Sequence, residues 1–492
     1  MTPQGLQTQL ERLCQQLVEQ PNNLGLLDQA AAVASQLKLP EQAAELYRTY
    51  AHHHKQHAGA HFNCGYYLRV AGRYAEAIEY YRQALALGIS QPEEVHTNIG
   101  VIYNEGLLDN QQAQQAFFQA LKIAPNYVPA LYNLANSYEQ DGDKQQAAHY
   151  FNEVIKRQPD YAMAYVRLAD VQKAESDNDA LIRQLRILLE SGKQPLNERI
   201  DIAFALGKLH DDCGSYDLAW QFYQQANTWN ATTMPAWDVA EQEALLHTII
   251  ENYTAPVTTT GGASQPKPLF ICGMFRSGST LLEQMLGAHD AITSGGELEF
   301  FPRLWQHVKR EGIDAFSQRT TAQDYAAIGQ DYLEFVQQRF GHDGWVTDKR
   351  PDNIWLLGLI KQALPDAKFL VTRRQLLDNC LSVYFTRLGA SMNYANSIEH
   401  IQAFLALEQQ LLAHWQQVFG DDLQVVDYDA LVADPETELG RVFKWLELPW
   451  QEQCLAFHQR TNAVRTASVW QVRQPLYKSS SGRWRNYQKF LK

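Results

Sequence analysis

A chain of 492 residues with 45% hydrophobic and 20% charged side chains is long enough for about two to four folded domains and too apolar to stay disordered. Its 55 acidic and 42 basic residues leave a formal charge of −13, opposite to the balance that general nucleic-acid binding uses. Six cysteines (Cys14, Cys64, Cys213, Cys272, Cys380 and Cys454) lie far apart with no CxxC pair, which points to reduced thiols rather than a disulfide framework or zinc site. The opening residues read as no secretion signal, and no run of about 18 apolar residues reads as a membrane span. The composition predicts a cytoplasmic protein with neither nucleic acid nor membrane as partner.

The acidity is uneven. Residues 1–265 carry 30 acidic and 18 basic side chains, a net of −12, whereas residues 266–492 carry 25 and 24, a net of −1. The first half repeats. Ala113, Phe117 and Pro125 recur 34 residues later as Ala147, Phe151 and Pro159, and Ala43 and Tyr47 recur as Ala77 and Tyr81. Gly65, Ala77, Tyr81 and Ala84 follow the small–small–aromatic–small order of a tetratricopeptide repeat, as do Gly207, Ala219, Tyr223 and Ala226. Each unit is a helix–turn–helix that cannot bury its apolar face alone, so the units must stack into a superhelix. The period predicts about six repeats over 1–253, with the 160–195 unit degenerate. Their concave groove suits a peptide or protein partner; the competing reading is a scaffold that only supports or dimerises the second half.

His53, His57 and His61 share an i, i+4, i+8 spacing, but no acidic or cysteine ligand lies beside them. They are predicted on a repeat's second helix and the loop after it, exposed to solvent, and no metal is expected.

The segment 254–268, rich in Thr, Gly and Pro, reads as a linker. After it, over 269–492, strands alternate with helices. PLFICG (268–273), WVTDK (345–349), KFLVT (368–372) and QVVDY (424–428) are strand candidates. Helices are predicted over 280–288, 353–364, 377–387 and 435–446. This alternation implies a three-layer α/β domain with a parallel sheet, and ligands of such sheets gather at the carboxyl ends of the strands. Arg276, Lys349, Arg374 and Tyr428 fall there.

Gly273-Met-Phe-Arg-Ser-Gly278-Ser279-Thr280 has the G-x-x-x-x-G-x-[ST] frame of a phosphate-binding P-loop, with Ser279 where the lysine should stand. The backbone of such a loop and the helix N-terminus after it converge on an anion. Without the lysine the loop lacks the reach to the β- and γ-phosphates of a triphosphate; Arg276 supplies charge from inside it.

The segment from Phe270 to Leu282 resembles the 5′-phosphosulfate loop of sulfotransferases that use 3′-phosphoadenosine-5′-phosphosulfate, and Val371–Ser382 resembles their 3′-phosphate motif. That spacing selects Arg374 and Ser382 rather than Arg373. The whole chain is similar to bacterial tetratricopeptide-repeat sulfotransferases, and its motif spacing to tyrosylprotein sulfotransferases. The resemblance implies a transferase that moves a sulfuryl group to an acceptor hydroxyl, on a protein or peptide presented by the repeats. The product would be 3′,5′-bisphosphoadenosine, with no metal. Glu297, 21 residues after Arg276, stands where the family keeps its general base, with Glu299 as neighbouring rival. Lys349 matches the lysine that bridges donor and acceptor, and Ser468 a serine near the transferring group. Arg276, Ser277, Gly278, Ser279, Thr280, Arg374, Ser382, Tyr428 and Arg483 match the donor-binding set. Arg303 is placed by analogy at the acceptor. The segment SSSGRWRNY (479–487) follows the family only loosely, which leaves Lys478 and Ser480 without an assigned role. A second copy of the chain is a further candidate partner. A nucleoside-triphosphate kinase and a non-catalytic repeat adaptor are the rival readings.

Overall fold

The computed structural model describes residues 2–255, 265–341, 344–460, 469–478 and 480–491. The chain divides into two compact units, Met1–Val171 and Gln172–Lys492.

The first unit is all helical: α1 (Pro3–Glu19), α2 (Leu24–Gln36), α3 (Pro40–His53), α4 (Ala58–Val70), α5 (Tyr74–Ala86), α6 (Pro92–Val101), α7 (Asn110–Ile123), α8 (Val128–Asp141), α9 (Lys144–Arg157) and α10 (Ala162–Val171). Side chains cap several of these helices, satisfying N–H groups that the helix leaves over. Asn23, Asp109 and Asp143 accept from the N–H groups of Leu26, Gln112 and Gln146 at 3.0–3.1 Å. The 34-residue period falls on the helix–helix contacts. Ala77, Tyr81, Ala113, Phe117, Ala147 and Phe151 are all fully buried. Gly65 lets α4 approach α5, since a Cβ there would lie 3.0 Å from the Tyr81 ring. The histidines depart from expectation. His53 is exposed, but His57 caps α4 by accepting the Ala60 N–H at 3.0 Å. His61 is buried on α4 with Nε2 3.2 Å from the Lys55 carbonyl. The helix starts at Ala58, inside the stretch read as loop, and turns His61 inward.

The second unit opens with α11 (Ala180–Glu190), α12 (Leu196–Asp212), α13 (Tyr216–Ala231) and α14 (Val239–Asn252). There follow β1 (Lys267–Gly273), α15 (Ser279–Leu286), β2 (Ile292–Ser294), α16 (Phe300–Glu311), α17 (Ile313–Arg319), α18 (Ala322–Phe340), β3 (Trp345–Lys349) and α19 (Leu357–Ala363). The unit ends with β4 (Lys368–Arg373), α20 (Leu376–Tyr384), α21 (Ile398–Phe419), β5 (Leu423–Asp427), α22 (Tyr428–Ala433), α23 (Pro435–Trp445), α24 (Val469–Val472) and a 3₁₀ segment, Arg483–Phe490. The helix predicted over 353–364 is a 3₁₀ turn, Pro351–Trp355, followed by α19. The strand β2 is too short to leave a pattern in sequence.

The strands form one parallel sheet in the order β2-β3-β1-β4-β5. Successive residues of β1 serve opposite faces. Phe270 and Cys272 join a core with Phe301, Tyr332, Leu359 and Trp415, while Leu269 and Ile271 join one with Leu282, Met285, Leu431 and Phe443. The carboxyl ends of β1, β3, β4 and β5 therefore open on one edge, between two helical layers.

The packing boundary is not where composition placed it. Residues 256–264 of the expected linker lie outside the described residues, and its last two, Lys267 and Pro268, already belong to β1. The division falls instead at Val171/Gln172, because α12 to α14 bury their apolar faces on the α/β part. Tyr223 stacks on Phe385 at 4.0 Å and Trp220 on Phe490 at 4.7 Å. Asn227 donates to the Tyr384 carbonyl at 2.8 Å, and Arg387 pairs with Asp201 at 2.6 Å. Gly207 allows the same close approach as Gly65, since a Cβ there would lie 2.7 Å from Tyr223. Replacing Tyr223 with Ala is expected to cost about 3–5 kcal/mol, as for other buried aromatics. Chemical denaturation should show that loss in the same single transition that reports the sheet; two separate transitions would mean that α12 and α13 fold independently of it.

Candidate functional site

A cavity of about 920 Å³ opens at the carboxyl edge of the sheet. Its floor is the turn between β1 and α15. Gly273 (φ +126°) lies against β4, where a Cβ would come 2.5 Å from the Thr372 carbonyl oxygen. Gly278 (φ +103°) lies against Tyr428, whose ring a Cβ would strike. Between them Arg276 itself takes a left-handed conformation at φ +67°, a costly one for a residue with a side chain. Gly278, Ser279 and Thr280 line the cavity at the start of α15, so the positive end of the helix faces it. Ser277 does not belong to this lining. Its hydroxyl donates to the Met274 carbonyl at 2.5 Å and shares a hydrogen bond with Thr372 at 2.6 Å, and its N–H also returns to Met274 at 3.1 Å. Ser277 is spent on the shape of the loop rather than on a ligand.

The cations converge on this floor. Arg276 donates from Nε to Ser382 Oγ at 3.2 Å and from Nη2 to Gln471 Oε1 at 3.0 Å. Burial, aided by the positive charge of Arg374, pushes its pKa down to about 10, which still leaves it charged at neutral pH. Arg374 donates to the carbonyls of Arg276 (3.3 Å) and Ser480 (2.6 Å), and its guanidinium lies 4.8 Å over the Tyr428 ring. Among the described residues, its buried Nε has no hydrogen-bond partner. Tyr428 shares a 2.7 Å hydrogen bond with Ser480 Oγ. Arg373, one residue earlier, is exposed at the end of β4. Arg483 reaches the same cavity, where it donates to Asp211 at 2.6 Å and lies 5.1 Å over Phe385.

A second group stands at the ends of β2 and β3. Lys349 Nζ meets Glu297 Oε1 at 2.5 Å; the lysine side chain is 1% exposed and the glutamate 40%. Both line the cavity. Glu299 is turned away onto Arg350 at 2.5 Å. Arg303 is exposed on α16 and Lys478 bonds the Ala433 carbonyl at 3.3 Å; neither lines the cavity. Ser468 lies outside the described residues.

The residues that sequence reasoning passed over are mostly carboxylates. Glu283, inside the apolar run of α15, is buried and accepts from the Gly296 N–H (3.0 Å) and the Thr347 hydroxyl (2.7 Å). It ties the loop helix to the turn that carries Glu297. Burial pushes its carboxyl up, and the charge of Lys349 pulls it back. Asp378 accepts the N–H groups of Gly482 (2.6 Å) and Trp484 (2.8 Å), and Asp429 accepts the Gln375 N–H (2.8 Å) and the Ser481 hydroxyl. These contacts fasten the C-terminal segment beside Arg374. A glutamate amid leucines, or an aspartate 100 residues from its partner, carries no local signal.

Asp348, beneath Lys349, is fully buried and accepts from Tyr332 and Asn353 at 3.3 Å. Burial pushes its pKa from 3.8 up to about 8. Its folded value exceeds its unfolded one, so its contribution to stability is complete below about pH 4 and is lost as pH rises through about 8. Asp348→Asn is expected to gain on the wild type progressively across that window. Urea denaturation at pH 4.5 and 8.5 checks this; an unchanged difference between the two would refute it.

Residues 268–452 match the sulfotransferase family, and residues 25–92 and 128–161 match tetratricopeptide repeats. An uncharacterised protein of Aquifex aeolicus is 30% identical over 344 residues, covering 65% of this chain and 44% of that protein. A protein-tyrosine sulfotransferase of Drosophila melanogaster is 23% identical over 231 residues, covering 44% of this chain and 46% of that protein. Among solved structures, the sulfotransferase domain of a Synechococcus PCC 7002 olefin synthase aligns with a TM-score of 0.36 at 19% identity, over 47% of this chain and 90% of that one. The chain spans about half the length of the curated relatives it matches. The chain carries tetratricopeptide repeats followed by a domain of the sulfotransferase family, and the protein-tyrosine sulfotransferases are its low-identity homologues.

Proposed function

We propose that this protein transfers a sulfuryl group from 3′-phosphoadenosine-5′-phosphosulfate to an acceptor hydroxyl, on a protein or peptide that the repeats help to hold. One observation carries the reading: the glycine-framed loop, the Arg374–Ser382 group and the Glu297–Lys349 pair all line one cavity. The residues present fit such a nucleotide. Among the described residues the buried Nε of Arg374 has no partner, which suits a phosphate oxygen that its planar fork would bind in bidentate fashion. Arg276 and Arg374 repel one another in a site sheltered from water, and a polyanion relieves that repulsion. No lysine follows Gly278, so the loop has no side chain for the outer phosphates of a triphosphate.

In this reading, Gly278, Ser279 and Thr280 hold the 5′ end and Arg374 and Ser382 the 3′-phosphate, with Tyr428 against the nucleoside. The donor supplies a sulfuryl group on a phosphate leaving group. Glu297, at the solvent side of the pair, takes the proton of the acceptor hydroxyl as its oxygen attacks. Lys349, buried and donating to Glu297, stabilises negative charge on the departing oxygen. Positioning and charge stabilisation supply most of the acceleration in such transfers. Ser468 is assigned a supporting role at the transferring group by resemblance, and six free thiols fit a reducing cytoplasm.

Calorimetry with 3′,5′-bisphosphoadenosine and transfer of labelled sulfate into cell lysate test the reading together. Glu297→Gln is expected to bind the bisphosphate as the wild type does while losing about 10²–10⁴-fold in turnover. Arg374→Ala is expected to weaken bisphosphate binding by about 10–100-fold, the worth of a charge-assisted bidentate contact. Unchanged turnover in Glu297→Gln removes the glutamate from the mechanism. Stabilisation by magnesium-ATP with none by the bisphosphate turns the assignment toward a kinase.

A further inference from the structure

We infer that Asp211, on the last turn of α12, is a positioning residue of the donor site: it holds the Arg483 guanidinium in place for a phosphate of the donor, which makes the helical pair α12–α13 part of the nucleotide pocket. The inference rests on the donor reading above and adds to it a residue from the helical half, 272 positions away in sequence from the arginine it holds.

The geometry is a fixed arginine. Asp211 Oδ2 accepts from Arg483 Nη2 at 2.6 Å and its other oxygen accepts the Tyr487 hydroxyl. The guanidinium rests 5.1 Å from the Phe385 ring, which is itself stacked at 4.0 Å on Tyr223 of α13. The backbone on both sides of Arg483 is tied to Asp378. An arginine fork has five N–H donors; here one is committed to Asp211 while the side chain still lines the cavity with Arg276 and Arg374. Such an arginine loses little freedom when it meets a phosphate.

The placement also breaks a local rule. Asp211 and Asp212 stand together at the C-terminus of α12, where the helix dipole disfavours anions. Each is compensated by a cation of the cavity, Asp211 by Arg483 and Asp212 by Lys208 at 2.7 Å. Lys208, Asp211, Asp212 and Gly214 line the same cavity as the loop. Departures from local preference that are repaired only by the site beside them mark functional positions.

The test is calorimetry of the full-length chain with 3′,5′-bisphosphoadenosine. Asp211→Ala is expected to raise Kd about tenfold, the scale of one charge-assisted hydrogen bond. Asp211→Asn, which keeps an acceptor oxygen, should recover most of that loss. In an Arg483→Ala background, Asp211→Ala should add nothing further. Tyr487→Phe, which cuts the other hydrogen bond to Asp211, should bind like the wild type. Arg483→Lys, which leaves Asp211 untouched and keeps the charge but not the fork, should also weaken binding about tenfold; it stands in if Asp211→Ala melts too low to assay. Wild-type or tighter binding by Asp211→Ala or Arg483→Lys overturns the inference. So do additive losses in the double variant, or a loss in Tyr487→Phe equal to that in Asp211→Ala. A wild-type chain that gives no heat with the bisphosphate overturns the donor reading itself, whereas a wild type that binds and an Asp211→Ala that binds equally well overturn only this inference.

Discussion

Three guanidinium groups, Arg276, Arg374 and Arg483, are gathered around one cavity at the end of a parallel sheet, and like charges confined in this way must be held by something. Each is held differently. Arg276 rests on the Ser382 hydroxyl and Gln471 amide, Arg374 on two backbone carbonyls and the face of Tyr428, and Arg483 on a carboxylate. Hydroxyls, amides, carbonyls and ring faces orient a guanidinium without cancelling its charge, and the carboxylate orients Arg483 through one Nη. Much of the surrounding structure serves this arrangement. The left-handed conformation of Arg276, the two glycines pressed against Thr372 and Tyr428, and the aspartates that fasten the C-terminal segment all fix where these charges stand.

The opposite end of the cavity is organised around a buried lysine. Lys349 is nearly free of solvent, and its charge is met by Glu297 at the surface side and felt by Glu283 on the inner side. The two carboxylates have different tasks because their surroundings differ. Glu283 is enclosed and spends its acceptor capacity on the Gly296 N–H and the Thr347 hydroxyl, which makes it a structural tie. Glu297 is partly exposed and pairs with the lysine, which is the arrangement that the proposed general-base role requires.

Helices α12 to α14 share one hydrophobic core with the α/β part. A repeat normally buries its apolar face on the next repeat; here α12 to α14 bury theirs on α20, α21 and the C-terminal 3₁₀ segment. The same contacts bring Asp211 to the cavity. Stability and site geometry are thus supplied by the same side chains, Tyr223, Phe385 and Asp211, and a change in one must be felt in the other.

The amino-acid sequence by itself determined the elements whose signal is local. The 34-residue period located the helix pairs because the same interior contact recurs in each of them. The loop frame, and the eight residues from Arg374 to Ser382, located the floor of the cavity because one turn and one helix start fix those distances. Four of the five strands stood out as short apolar runs. Tertiary structure alone decided the rest. The loop pattern makes Ser277 a ligand group, but packing against Thr372 turns it inward. The sequence spacing predicts His61 exposed, but a helix that starts at Ala58 buries it. Composition places the domain boundary at the Thr-, Gly- and Pro-rich stretch 254–268, although a boundary is a matter of which apolar faces meet, and those of α12 to α14 meet the sheet domain. Glu283, Asp378 and Asp211 escaped notice because a buried carboxylate is defined by the partners that satisfy it, and these lie 13 to 272 residues away along the chain. Short-range pattern specifies backbone and loop chemistry; long-range burial decides which charges survive inside the protein, and what they hold.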